Sequence, residues 1–335
     1  MTKIKVSIIC ITYNAPKLLE RCLDSCINQT LNEIEIILVN DGSTDNTDEI
    51  CKQYAKKDNR IKYYYKENGG ASSAMNLGYK YVKGEYIHML DGDDYMSPDL
   101  CKKSYSIAKK LNLDLLNFGY AYEKNGIKEK RLSVFPKNTL FDNNDFIELL
   151  KNSPYDSKLL WFTWMNLMKT ELLTDFNIVH DEELAIGIDS SFNLECYLNA
   201  KRMYSIDDVL YYYVYNPNSL TQTNYKPNLT KNIETQFNVK LGLYKKYDLT
   251  DIDFKIDFSR YYLQHSLLFI LNNELNYKEG FKSSRINKIR SLSMFEYCFK
   301  HYKPSPDCPQ RAKLIIWLFK NKLFLPIRYL LYNKQ

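Results

Sequence analysis

Four short apolar runs, at residues 6–11, 34–39, 61–65 and 86–90, are separated by stretches with helical spacing. Runs of this length without polar alternation are what strands buried on both faces look like, because crossover helices cover both sides of a parallel sheet. Pro16 suits the first turn of a helix whose apolar side is Leu18, Leu19, Cys22, Leu23, Cys26 and Ile27. Ser43, Thr44 and Asp45 offer capping oxygens to a second helix through Ile50, Cys51, Tyr54 and Ala55. A third is expected from Ala74 to Val82, after the Gly69-Gly70 turn. Strands alternating with helices predict an α/β fold with a mainly parallel central sheet and flanking helices, whose ligands gather at the carboxyl ends of the strands. Polar clusters fall there, after Ile11, Val39 and Leu90.

A chain of 335 residues exceeds one typical domain. The pattern loosens beyond Asp114-Leu115-Leu116-Asn117-Phe118, and helical spacing resumes near Tyr225, so a sheet domain over 1–224 and a C-terminal α-helical region over 225–335 are expected. Beyond Asp307 no acidic residue occurs, while Arg311, Lys313, Lys320, Lys322, Arg328 and Lys334 carry six positive charges, equal to the whole net charge of +6. Charge confined to one tail argues against a nucleic-acid binder, which spreads it over a face or groove. The tail, 311–335, interleaves these cations with Leu314, Trp317, Phe319 and Leu325. It is expected either to lie in the interface of an anionic bilayer or to pack on the core or on a second copy of the chain. With neither a signal-peptide pattern nor a continuous apolar span, the expected location is cytoplasmic, peripheral to the inner face of the membrane. The eight cysteines form no CxxC pair, which points to buried free thiols rather than zinc or redox chemistry.

Leu90-Asp91-Gly92-Asp93-Asp94 concentrates three carboxylates at the end of an apolar strand. Like charges this close repel unless a cation compensates them, and Mn²⁺ or Mg²⁺ takes one or two carboxylates together with substrate phosphate oxygens. The competing reading is an acidic surface turn. In Val39-Asn40-Asp41-Gly42-Ser43-Thr44-Asp45 the last three residues suffice for capping, so Asp41 is expected to be free to bind, for example by accepting the N3–H of uracil.

Residues 6–14, 39–45, 68–78 and 90–94 together resemble the successive motifs of the family 2 glycosyltransferases, which have the GT-A (Rossmann-like) fold. The resemblance implies a donor-binding half over 1–119 and an acceptor-side half over 120–224. It implies that Thr12, Tyr13 and Asn14 cradle the nucleotide of a nucleotide-sugar donor and that Asp41 contacts uracil. Asn68, Gly70 and Asn76 lie near them, and Asp91, Gly92 and Asp93 hold the metal, ribose and diphosphate, with Asp94 in support. Met75 stands where the family commonly has arginine. The family's catalytic base lies in a Glu-Asp pair followed by two residues and an aromatic; Gly187-Ile188-Asp189-Ser190-Ser191-Phe192 retains the base as Asp189 and replaces the glutamate with Ile188. Capping the following helix is the other role open to Asp189, and Glu182 or Glu183 are alternative bases. Tyr211-Tyr212-Tyr213 with Ser219-Leu220-Thr221 resembles the closing strand and acceptor loop; Trp161 and Trp164 suit either stacking on acceptor sugars or an ordinary core. The activity implied is inverting transfer of a sugar from a UDP-sugar to a glycan or lipid-linked acceptor in cell-surface polysaccharide synthesis. A metal-dependent phosphatase and a non-catalytic membrane-bound module are the alternatives. With no GxGxxG turn and no GxxxxGK phosphate loop, nothing supports a dehydrogenase.

Overall fold

The computed structural model describes residues 3–152, 160, 162–217 and 223–332. The chain divides into two compact units, Met1–Glu148 with Lys158–Pro217, and Leu149–Ser157 with Asn218–Gln335.

The first unit opens with β1 (Val6–Thr12), α1 (Pro16–Ile27), β2 (Ile34–Asn40), α2 (Thr47–Lys57), β3 (Ile61–Tyr65), α3 (Ala71–Tyr79) and β4 (Tyr86–Asp91). β5 (Tyr95–Met96), α4 (Leu100–Leu111), β6 (Leu115–Lys124), β7 (Ile127–Arg131) and α5 (Asn143–Asn152) follow. β8 (Asn166–Lys169), α6 (Thr170–Asp175), α7 (Ile188–Asn199) and β9 (Met203–Val214) complete it. Among the described residues the sheet runs β3-β2-β1-β4-β8-β6-β9-β5, with β7 on β6. β3, β2, β1 and β4 are mutually parallel, as the apolar runs predict. β8 then enters antiparallel between β4 and β6, so the sheet as a whole is mixed. Every residue of β1 and β2 is buried. Burying one such isoleucine contributes about 1.5–3 kcal/mol over leaving it in water.

Two helices start where the capping argument did not put them. α2 begins at Thr47, because the Ser43 hydroxyl accepts the Asn14 amide at 3.0 Å and the Thr44 amide donates to Asn14 Oδ1 at 2.9 Å. Those residues join one strand end to the next; only Asp45 serves the helix, accepting the Thr47 amide at 3.0 Å. α3 begins at Ala71 because Gly70, at φ 88°, takes the left-handed turn that launches it. All eight cysteines are buried and free.

The second unit is helical: α8 (Leu229–Lys246), α9 (Ile252–Arg260), a π-helical turn (Tyr261–Ser266), α10 (Leu267–Leu275), α11 (Ser283–Arg290), α12 (Ser293–His301), α13 (Gln310–Lys320) and α14 (Phe324–Tyr332). Phe237, Phe258, Tyr262 and Phe295 are among the rings that fill its core. Among the described residues no helix is long and apolar enough to cross a membrane.

Candidate active site

The register of β1 brings the three polar clusters together. Thr12 lies beside Asn40 of β2, and Ile11 beside Asp91 of β4. Backbone bonds extend the pairing past the strand ends: the Asp41 amide donates to Thr12 O at 2.9 Å, and the Gly92 amide to Ile11 O at 2.8 Å. A side chain on Gly92 would sit 2.8 Å from Ile11 O and from Thr12 Cβ and Oγ1, so only glycine lets the acidic turn lie this close to β1.

Asp91 ends β4 with no hydrogen bond to its carboxylate among the described residues. Burial pushes its carboxyl well above the usual carboxylate range, and the charges of Asp93 and Asp189 push it further. Asp93 Oδ2 accepts a hydrogen bond from Asn216 Nδ2 at 3.0 Å. Asp94 is fully buried, held by the Tyr211 hydroxyl at 2.8 Å and the Val214 amide at 2.7 Å. Tyr211 also accepts the Asp91 amide at 3.3 Å, so one tyrosine of β9 ties both ends of the acidic turn to the sheet. The Trp164 ring, 4 % exposed, stacks on Tyr211 at 4.1 Å and belongs to the core.

Asp189 lies in the first turn of α7 but does not cap it; Gly187, at φ 76°, occupies that position. The Thr163 hydroxyl donates to Asp189 Oδ1 at 2.6 Å and the Thr163 amide does so at 3.4 Å, leaving Oδ2 without a protein partner among the described residues. Burial raises its carboxyl above the ordinary range, and Thr163 opposes part of that rise. Asp93 and Asp189 therefore each lie within electrostatic reach of Asp91. Glu182 and Glu183 are exposed, and Glu182 accepts the Asn76 amide at 2.9 Å.

Two predicted binding residues have their polar groups engaged within the protein. Asp41 is not free: Oδ1 accepts from Lys66 Nζ at 2.7 Å and the Gly69 amide at 3.0 Å, while Oδ2 accepts from the Gly70 amide at 2.8 Å and Asn68 Nδ2 at 3.2 Å. A carboxylate has about four acceptor directions, so the turn entering α3 fills them. Asn76 forms a reciprocal pair with the His180 backbone, at 2.8 Å to its carbonyl and 2.9 Å from its amide. Ser72 adds a bond to Leu184 O at 3.2 Å, so α3 fastens the segment that leads into α7 and Asp189. Tyr13 is half exposed and Met75 is buried. Trp161 and Ser219-Leu220-Thr221 lie outside the described residues.

The donor set suits a hard divalent ion. Asp91 and Asp93 offer carboxylate oxygens whose mutual repulsion no lysine or arginine of the described residues relieves, and the Thr12 hydroxyl beside them is buried without a partner. Among the described residues no group of three or more metal-binding side chains is assembled, so the remaining ligands would come from elsewhere.

Comparison with known proteins identifies the family and the fold. Residues 7–171 match the family described as Glycosyl transferase family 2. The "Uncharacterized glycosyltransferase EpsJ" of Bacillus subtilis is 36 % identical over 301 residues, 88 % of this chain and 86 % of that protein. The chain belongs to glycosyltransferase family 2. The "Cholesterol galactosyltransferase" of Borreliella burgdorferi is 28 % identical across 99 % of this family 2 chain and 97 % of its own length. Staphylococcus aureus TarS 1–349, solved in complex with UDP-GlcNAc, shares the fold with a TM-score of 0.71 at 22 % identity, covering 98 % of this chain and 90 % of that one. This is the GT-A fold the motifs imply.

Thr163, Tyr211 and Asn216 are the site residues that motif reasoning did not single out. Tyr211 stood in the Tyr211-Tyr212-Tyr213 run, but nothing local distinguishes it from the chain's other tyrosines, 29 in all.

Proposed function

We propose that this glycosyltransferase inverts the anomeric centre as it moves a sugar from a UDP-sugar to an acceptor hydroxyl, in cell-surface glycan synthesis at the inner face of a membrane. The observation that carries the reading is that Asp189, held by Thr163, and Asp93 both bear electrostatically on the buried carboxyl of Asp91 at the end of β4. Asp189, braced by Thr163 on one oxygen, presents the other to the acceptor and takes its proton as the hydroxyl attacks. Asp91 and Asp93 hold Mn²⁺ or Mg²⁺, whose charge, when bound, offsets that developing on the departing diphosphate. Thr12, Tyr13 and Asn14 line the nucleotide, and the amide pair of Gly69 and Gly70 keeps the neighbouring turn in place through Asp41. A uracil contact to Asp41 replaces the longest of its four bonds, the one from Asn68.

Lipid proximity is supported by the tail. Trp317, Leu325 and Tyr329 are more than half exposed, interleaved with exposed Lys320, Lys322 and Arg328. Each cation near an anionic bilayer contributes about 1 kcal/mol. The B. burgdorferi relative, matched over 97 % of its length, is named for a lipid acceptor.

The test is release of free sugar from UDP-sugars without acceptor, in Mn²⁺ and in chelator. Release that depends on the ion and falls in Asp93→Asn is the expected result. Release of phosphate would indicate a phosphatase, and undiminished release in chelator would remove the ion from the reading.

A further inference from the structure

Both parts of the site rest on one ring of β9. The acidic turn closes on itself, the Asp94 amide donating to Asp91 O at 3.0 Å. Its two ends then meet at the Tyr211 hydroxyl, which accepts the Asp91 amide at 3.3 Å and donates to Asp94 Oδ2 at 2.8 Å. Only Gly92 and Asp93 lie between those ends. The other oxygen of Asp94 takes the Val214 amide at 2.7 Å, two residues before Asn216, whose Nδ2 reaches Asp93 Oδ2. The hydroxyl thus fixes the turn that presents Asp91 and Asp93. The face of the same ring carries Trp164, at 4.1 Å and 6° from parallel. Trp164 follows Thr163 in the helical turn Thr163–Met165, and Thr163 holds Asp189 Oδ1 at 2.6 Å.

We propose that Tyr211 is a positioning residue that sets the acidic turn and the Asp189 carboxylate in one geometry, its hydroxyl acting on the turn and its ring, through Trp164 and Thr163, on the base. This rests on the reading of Asp91 and Asp93 as ion ligands and of Asp189 as the base. Packing alone asks nothing of the hydroxyl, since phenylalanine would fill the same space. Yet Tyr211 and Asp94 are both fully buried, and the charges that bear on Asp94 are those of Asp93 and Asp91, both repulsive. A carboxylate buried in this way adds less stability than an apolar group of the same volume, so what it contributes is the placement of the turn. Water cannot stand in for the hydroxyl, because neither side chain is exposed. The ring link works by contact area rather than by a directional bond. Thr163 gives both its hydroxyl and its amide to one oxygen of Asp189, so a shift of the Trp164 backbone shifts the brace of the base. Misplacing a reacting group by about 1 Å costs on the order of 10²-fold in rate.

The experiment separates hydroxyl from ring. Tyr211→Phe keeps the stack and loses both bonds, whereas Trp164→Leu keeps both bonds and loses the stack. Calorimetry on the full chain reads UDP binding in Mn²⁺ and in chelator. The maximal rate of acceptor-free sugar release is read with UDP-glucose, UDP-galactose and UDP-GlcNAc, below the melting temperature of each variant. Water as acceptor keeps out of the result the aromatic cavity of about 600 Å³ that Phe162, next to Thr163, lines with Tyr120, Tyr197 and Tyr213. Tyr211→Phe is expected to weaken UDP about tenfold in Mn²⁺ and to leave binding in chelator unchanged. Trp164→Leu is expected to keep UDP affinity within about twofold in either condition and to lower the maximal rate about tenfold or more. Asp94→Asn removes an acceptor of the same pair at constant volume and should follow Tyr211→Phe, which keeps the test open if that variant does not fold. Melting temperatures that fall while UDP affinity and rate hold overturn the proposal, as do losses of UDP affinity of equal size in Tyr211→Phe and Trp164→Leu. Wild-type UDP binding that ignores Mn²⁺ yet falls in Tyr211→Phe would sink the ion and leave the role of the hydroxyl standing. Absence of sugar release from the wild type would sink the reading of Asp189 and the ring link with it, while UDP affinity still decides the hydroxyl.

Discussion

The halves of the sheet unit proposed to face donor and acceptor hold their polar groups by different means. On the donor side, at the ends of β1, β2 and β4, short polar bonds between neighbouring strand ends do the work: Asn14 with Ser43 and Thr44, Asp41 with the 66–70 turn, Gly92 against Ile11. On the acceptor side, stacked rings join the polar bonds, Phe162 on Trp164 at 4.4 Å and Trp164 on Tyr211 at 4.1 Å, beside the bonds of Thr163 to Asp189 and of Tyr211 to Asp94. Directional bonds fix a binding turn to one geometry, whereas ring stacks fill volume and tolerate a change of shape. A family can thus keep one donor frame while acceptor pockets diverge.

The largest test of that contrast is Asp41→Ala. It strands Lys66 and two turn amides, and losing hydrogen bonds of this part-buried, charge-assisted kind costs about 1.5–3 kcal/mol. Urea unfolding should show this loss together with weaker donor binding. A loss below about 1 kcal/mol would mean that the turn does not depend on Asp41.

A smaller effect is expected at the seam between the halves, where the His180 ring stacks on Phe192 at 4.0 Å and the Tyr79 ring lies about equally far from both, at 5.9 and 6.0 Å. Among the described residues neither ring nitrogen has a partner, and burial pushes its pKa down to about 3. The folded chain therefore resists protonation that the unfolded chain, near pH 6.5, accepts. The stability this neutral ring contributes is complete above the unfolded pKa and is lost as pH falls from there toward about 3. Between pH 7.5 and 5 the loss amounts to about 2 kcal/mol. His180→Phe keeps the stack and should flatten that part of the pH–stability curve; an unchanged acid slope would show that the ring is not buried neutral.

The smallest effect is expected in the hairpin joining β6 to β7. Gly126 is at φ 78° with open space around it, so Gly126→Ala costs only the left-handed strain of a side chain, about 1 kcal/mol. Melting should shift slightly while acceptor-free sugar release stays constant. A fall in that release would couple the two halves more tightly than the contrast allows.

What the sequence discloses follows the same division. The four parallel strands and their terminal polar clusters are legible because each is a contiguous run with its own period. Helix starts are less so: Ser43 and Thr44 look like caps, yet their bonds go to Asn14, about 30 positions away. For Asp41 the same logic misleads, since its partners lie 25–29 positions ahead in a turn whose shape periodicity does not report. The Thr163–Asp189 bond spans 26 positions without a motif, and the aromatic cavity collects side chains from β6, β7, α7 and β9 that nothing local connects. The Asn125-Gly126 turn, with both residues at positive φ, was legible as a hairpin signal and is passed over when attention rests on strand–helix alternation.

Asp189→Asn, assayed for UDP-sugar binding and for transfer to acceptor in one preparation, is the most direct test of the central claim that a lone carboxylate braced by Thr163 serves the acidic turn of β4. The account predicts donor affinity within about twofold of wild type and transfer lower by roughly 10²–10⁴-fold. Transfer at the normal rate, or loss of donor binding in step with transfer, would contradict it.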